Sequence, residues 1–280
     1  MIIVGADGSV ASHAAVEWAA GDASRRDEPL RIVHAVDGTP YQMVGSADPE
    51  LPDPLVQAGR KILREAEALV HERRPGVVVT TQEAEGAPAA VLRDQAKDAT
   101  ELVVGSRGLG GFAGALLGSV GMHVAGHVRC PVVVVRGEQG PEHGEIVAGV
   151  DDSPECAPAL DHAFRQARLR GGTLRAVHSW QLPVPAYVPE ASYDVDEIRA
   201  AGRRLLGERL APLREEYPEV TVVEDLREAH PVDALTDASR RADLLVAGSH
   251  GRGAIGSMLL GSVSRSVLHH AHCPVAVVRT

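Results

Sequence analysis

Ile2-Ile3-Val4-Gly5-Ala6-Asp7-Gly8-Ser9 is a short apolar run that stops at a glycine and an acid. It is written again as Ile146-Val147-Ala148-Gly149-Val150-Asp151-Asp152-Ser153, at an offset of 144 residues. Working outward, Val104-Gly105-Ser106-Arg107-Gly108 returns as Ala247-Gly248-Ser249-His250-Gly251 at an offset of 143. Gly118-Ser119-Val120 returns as Gly261-Ser262-Val263, and Cys130-Pro131-Val132 as Cys273-Pro274-Val275, again at 143. Four matched blocks in one order make the chain a unit written twice, with a period far longer than any solenoid repeat. Residues 138–144 are polar and glycine-rich. They are expected to link a first domain at 1–137 to a second at 145–280.

Within the first copy, apolar runs at 2–4, 30–36, 76–81, 102–104 and 131–135 read as strands. Helical spacing is expected over 12–24, 55–72, 88–99 and 120–127, and the second copy runs the same course. Alternating strands and helices with Val-rich strands imply an α/β fold, a parallel sheet covered on both faces. Ligands of such sheets sit at the C-terminal strand ends, where the strand order reverses. The repeated motifs stand at those ends.

Composition narrows the function. Of 280 residues, 44% are hydrophobic and 24% charged, the balance of a globular chain. A net charge of −10 argues against nucleic acid or an anionic membrane as partner, and eight aromatic residues are few for base stacking. Three cysteines make no disulfide framework. Without a basic leader or an 18-residue apolar run, the expected location is the cytoplasm.

The glycine segment carries the chemistry. Gly105 and Gly108, then Gly118 after nine intervening residues, have the same spacing as Gly248, Gly251 and Gly261. Glycine lets backbone approach a ligand closely. Gly118-Ser119 and Gly261-Ser262 would open a helix whose free N–H groups attract anions. Ser119, Ser262 and Ser264 would add hydroxyl donors, with residues 109–117 as a loop over phosphates. A tight strand–helix turn would also use these glycines, but its duplication at one spacing favours a nucleotide site. A Walker A loop needs a lysine, and the second half has none. Gly251-Arg252-Gly253-Ala254-Ile255-Gly256 matches a dinucleotide fingerprint, but after the wrong strand and without its acid.

The glycine pattern, the Asp-x-Ser ends of the first strands and the Cys-Pro-Val-x-Val-Val terminal strands resemble the universal stress protein family in its tandem form. The resemblance covers essentially the whole chain. It implies two Rossmann-like doubly wound domains, each with a five-stranded parallel sheet, and association through the last strands as a homodimer. It also implies one ATP per domain. The first site would comprise Gly5, Ala6 and Asp7, the stretch Val104, Gly105, Ser106, Arg107 and Gly108, and Gly118, Ser119 and Val120. The second would comprise Gly149, Val150 and Asp151, then Ala247, Gly248, Ser249, His250, Gly251, Arg252 and Gly253, and Gly261, Ser262, Val263 and Ser264. Adenine would pack on the residue after the second-strand histidine, here Ala35 or Ser179.

Several residues carry two readings. Asp7 and Asp151 either accept from ribose or base donors, or hold Mg²⁺, or cap the following helix; Ser9 and Ser153 read as caps. His269-His270-Ala271-His272-Cys273 suggests a metal cluster, but the first copy keeps only His127 and Cys130, so a structural role is favoured. Cys130 and Cys273 read as packed thiols. Pro40, Pro49, Pro52 and Pro54, and Pro183, Pro185 and Pro189, read as semi-rigid lids or as ordinary loops. Gly121 stands where the second copy has Ser264, so the first site is expected to bind ATP less tightly. No catalytic base stands in a recognisable context. The expected function is an ATP-binding stress-response regulator; the alternative is a slow Mg-dependent ATPase or nucleotidyl-transferring enzyme.

Overall fold

The computed structural model describes residues 1–37, 54–108, 117–137, 140–182, 194–251 and 260–279. The chain divides into two compact units, residues 1–141 and 142–278. The first contains β1 (Ile2–Gly5), α1 (Val10–Arg26), β2 (Leu30–Val36), α2 (Pro54–Arg73) and β3 (Val79–Glu85). It continues through α3 (Pro88–Gln95), β4 (Glu101–Gly105), α4 (Ser119–His127) and β5 (Val132–Val135). The sheet order is β3-β2-β1-β4-β5, and every pairing is parallel. The order reverses between β1 and β4, which opens a crevice at their C-terminal ends.

The second unit repeats this with β6 (Glu145–Gly149), α5 (Cys156–Arg170), β7 (Thr173–Trp180), α6 (Val195–Glu216) and β8 (Val222–Glu228). It ends with α7 (Pro231–Ala238), β9 (Leu244–Gly248), α8 (Ser262–His270) and β10 (Val275–Val278). Its order is β8-β7-β6-β9-β10, again parallel. This is the doubly wound α/β architecture. None of the described helices is long and apolar enough to cross a membrane.

Burial explains the patterns. Ile2, Ile3, Val4 and the four valines of β5 are buried, as residues covered on both faces must be. The alanines of α1 at 15, 19, 20 and 23 are buried too, and their size lets the helix lie close to the sheet. That closeness accounts for Gly105: a Cβ there would stand 2.7 Å from the Ala11 carbonyl. Gly248 meets Glu155 Cβ at 3.0 Å in the same place. Part of the glycine signal is therefore helix packing.

Three local expectations need correction. The run at 76–81 is not the third strand, which spans Val79–Glu85 and pairs Leu30 to Val79 through Val36 to Glu85. Val77 is buried just before it, so the apolar residues mark the strand's approach and the polar ones its edge position. The helix at 88–99 stops at Gln95 and tightens into a 3-10 turn, Ala96–Asp98. Ser9 caps α1, its Oγ accepting from Ser12 N at 3.1 Å. Ser153 caps nothing: its hydroxyl donates to Asp151, and α5 begins later, after Glu155, with no side-chain cap bond.

At the N-terminal end of β4, far along the strand from Gly105, two carboxylates are wholly buried. Asp22 and Glu101 are 0% exposed, and Arg26 lies between them at 2.7 and 2.6 Å. Burial would lower the Arg26 guanidinium, but Glu101 and Asp22 carry it above its ordinary value. Burial, with Glu101 adding, pushes the Cys130 thiol up to about 12. Burial likewise raises Cys156. At pH 8 the Cys130 thiolate is then roughly one part in ten thousand. Iodoacetamide is accordingly expected to leave Cys130 unlabelled in the native protein and to label it in guanidinium. A labelling burst at Cys130 without denaturant would refute the packed-thiol reading.

Candidate functional site

Both units carry a cleft at the C-terminal ends of their strands. The first, of 630 Å³, is walled by the exits of β1 (Gly5, Ala6, Asp7), β2 (Val33, His34, Ala35) and β4 (Val104, Gly105, Arg107, Gly108). The start of α4 (Leu117 to Gly121) and the first turn of α3 (Pro88, Leu92) complete it. The second, of 360 Å³, uses Gly149, Val150 and Asp151, Val177, His178 and Ser179, and Ala247, Gly248, His250 and Gly251. Gly261, Ser262, Val263 and Ser264 close it, with Pro231 and Leu235 opposite. Both volumes lie in the range of small-molecule sites.

Backbone hydrogen bonds shape the neck of each glycine loop. Gly118 N donates to Ser106 O at 2.7 Å, and Gly261 N to Ser249 O at 2.7 Å. Ser106 N in turn donates to Val135 O, and Ser249 N to Val278 O. Each loop is thus clasped where it leaves the sheet and where it enters the helix. Gly118 and Gly261 occupy the N-cap positions of α4 and α8, and neither helix start has a side-chain cap bond. The first-turn residues of both helices line the clefts, so the positive end of each helix dipole borders its cleft.

The acids sit across the neck. Asp7 Oδ1 accepts from Ser9 N at 3.0 Å, and Asp151 Oδ1 from Ser153 N at 3.0 Å. The other oxygen lies against the loop: a Cβ on Gly108 would come within 2.4 Å of Asp7 Oδ2, and one on Gly251 within 2.7 Å of Asp151 Oδ2. A side chain at Gly108 or Gly251 would displace that carboxylate oxygen. Neither aspartate is the helix cap.

The family model described as "Universal stress protein family" matches residues 1–136 and again 143–279. The chain belongs to the universal stress protein family. Its relatives include a universal stress protein of Mycolicibacterium smegmatis, 37% identical over 287 residues, covering 99% of this chain and 96% of that one. A Mycobacterium tuberculosis universal stress protein is 35% identical over 293 residues, with 99% and 96% covered. Among solved structures, a universal stress protein from Archaeoglobus fulgidus superposes with a TM-score of 0.74 at 21% identity, covering 99% of this chain and 98% of that one. That likeness shows the fold.

Within this universal stress protein, most residues singled out from the sequence line the two clefts, Ala35 and Ser179 included. Ser106 and Ser249 do not; both are buried, and their part is the backbone clasp. Ser264 has a different task from the one expected. Its hydroxyl points at Ser249 O (2.9 Å) and Gly261 O (3.0 Å), so it fastens the loop neck from within. Arg252, Gly253, residues 109–116 and the prolines at 40, 49, 52, 183, 185 and 189 lie outside the described residues. His269 is half-buried, His270 and His272 are exposed, and Cys273 is buried. Among the described residues no three His, Cys, Asp or Glu side chains converge as a metal site.

Two features escaped the sequence reading. His34 Nδ1–H donates to Ala6 O at 2.7 Å and His178 Nδ1–H to Val150 O at 2.8 Å, which ties the exit of each first strand to the second. The matched histidines were visible in the repeat as a signal. Pro88 with Leu92, and Pro231 with Leu235, form the apolar wall; Leu92 Cδ1 would be 2.9 Å from a Cβ on Gly5. A proline in the first helical turn of both copies was the available clue.

Proposed function

We propose that this chain is an ATP-binding stress-response regulator with one nucleotide site per unit and little or no turnover. The observation that carries this reading is the duplicated cleft, which joins an apolar slot to an uncapped helix N-terminus. The slot between Leu92, Pro88, Val33 and Ala35 suits a flat base, and the α4 N-terminus suits phosphate. The second cleft offers Leu235, Pro231, Val177 and Ser179 in the same places. In a chain with −5 on each half, backbone N–H groups are the natural phosphate donors. Asp7 and Asp151 each place one carboxylate oxygen toward the loop. That fits Mg²⁺, which commonly takes one or two carboxylates beside phosphate oxygens and water. Bound there, Mg²⁺ would neutralise phosphate charge.

Occupancy would act by changing a partner surface around the cleft. The test is direct. Protein purified from its own cells and denatured is expected to release up to two nucleotides per chain, with ATP identified by chromatography. An empty supernatant, together with no ATP binding by calorimetry, would remove the reading.

A further inference from the structure

A second kind of hollow lies in the second unit, beneath α7 and the 3-10 turn Ser239–Arg241. It measures 360 Å³ and holds four arginines, Arg175, Arg227, Arg240 and Arg241, with His143 at its edge. None of these lines the nucleotide cleft of the same unit. In a chain of net charge −10, four guanidinium groups meet at one hollow against two lining carboxylates, Glu145 and Asp237, a local excess of positive charge.

The floor is built first. Arg175 lies bidentate on Glu145, with Nε and Nη2 at 2.9 and 2.8 Å, and reaches Asp225 at 3.4 Å. Arg227 holds the same Asp225 oxygen at 2.9 and 2.7 Å and extends to Asp237 and the Ala234 carbonyl. These carboxylates fix both guanidinium planes without exhausting them, since each arginine carries five N–H donors. The rim is different. Arg240 has only Asp237, at 3.9 Å, and Arg241 has no carboxylate within ion-pair distance among the described residues. Two held cations below and two loosely held cations above make a concave donor surface that matches phosphate oxygens.

The first unit acts as an internal control. At the positions of Arg227, Arg240 and Arg241 it has Ala84, Lys97 and Asp98, and Gln82 replaces Asp225. Arg31, which corresponds to Arg175, bonds Gln95 instead of a carboxylate. A lattice needed only to fasten a strand edge to its helix would have been needed in both copies. One copy does without it.

We infer that this hollow is an anion site distinct from the nucleotide clefts, taking a small free molecule that carries two or more phosphates. The nucleotide-free full-length protein, titrated with inorganic pyrophosphate by calorimetry, is expected to show a binding event that survives Gly118→Asp/Gly261→Asp. The same event is expected to weaken at least tenfold in Arg240→Gln/Arg241→Gln, whose side chains lie on the rim, and to stay unchanged in Lys97→Gln. An event absent from the native chain, or lost with the glycine variants and kept in the arginine variant, overturns the inference. A chain that binds no ATP yet keeps the arginine-dependent event would sink the nucleotide reading alone.

Discussion

Replacing Arg26 by methionine is expected to destabilise the first unit by about 3–5 kcal/mol, the cost of leaving buried charge without its partner. Asp22 and Glu101 are both 0% exposed and both pair with Arg26. Their attraction to Arg26 offsets the cost of taking two carboxylates out of water; methionine fills the volume and offsets nothing. The full chain should show the loss as an early denaturation phase, and hydrogen exchange should place it in β1, β4 and α1.

The second unit supplies the comparison variant. It has Gln166 where the first has Asp22, Arg170 where it has Arg26, and Leu244 where it has Glu101. Arg170 there bonds the Gln166 side chain. Asp22→Gln with Glu101→Leu, keeping Arg26, is therefore expected to cost less than Arg26→Met, since the charge left behind is a guanidinium that keeps 14% exposure and not two carboxylates with none, and the second unit holds the equivalent arginine on a glutamine. Equal losses from this double variant and from Arg26→Met would show that packing, and not uncompensated charge, sets the cost.

The repeat made the fold legible. Two copies of each motif at offsets of 143 or 144 fixed which glycines, acids and apolar runs were structural landmarks, and β2 was placed to the residue. β3 was placed too early because edge strands are polar: after Val79 the pairing runs through Thr80, Thr81, Gln82 and Glu83, while Val77 and Val78 precede the strand. The site was legible where chemistry sits in side-chain identity or glycine spacing. It was not legible where contacts come from burial. Gly105 reads as a phosphate glycine, yet the Ala11 carbonyl is what excludes its Cβ. Ser264 reads as a ligand donor, yet two carbonyls of its own loop receive its hydroxyl. Leu92 and Leu235 look like ordinary core positions, because nothing in a helix's sequence says that its first turn lines a crevice.

Gly118→Asp is expected to abolish ATP binding in the first unit while leaving its fold intact or slightly more stable. Gly118 is the N-cap of α4 at φ −77° and ψ 155°, an extended conformation open to any residue. A Cβ there meets nothing closer than Ser106 O at 3.5 Å. Aspartate is among the preferred N-caps, stabilising by about 1 kcal/mol over an uncapped residue but only a few tenths over glycine. Its carboxylate would accept from the N–H of Val120 or Gly121, the donors proposed for phosphate. It would also set a negative charge beside the nucleotide. Two like charges about 4 Å apart repel by roughly 4 kcal/mol at an effective dielectric of 20. Even with solvent screening, an affinity loss of at least ~100-fold follows, since each tenfold is about 1.4 kcal/mol. Gly261→Asp should act alike on the second unit, with less room, because His250 Cα lies 3.3 Å from the added Cβ. Each single variant is expected to bind one ATP by calorimetry. The site left in Gly261→Asp, where Gly121 cannot fasten the loop neck as Ser264 does, is expected to be the weaker. Two sites of undiminished affinity in either variant would place the nucleotide somewhere other than the helix N-terminus.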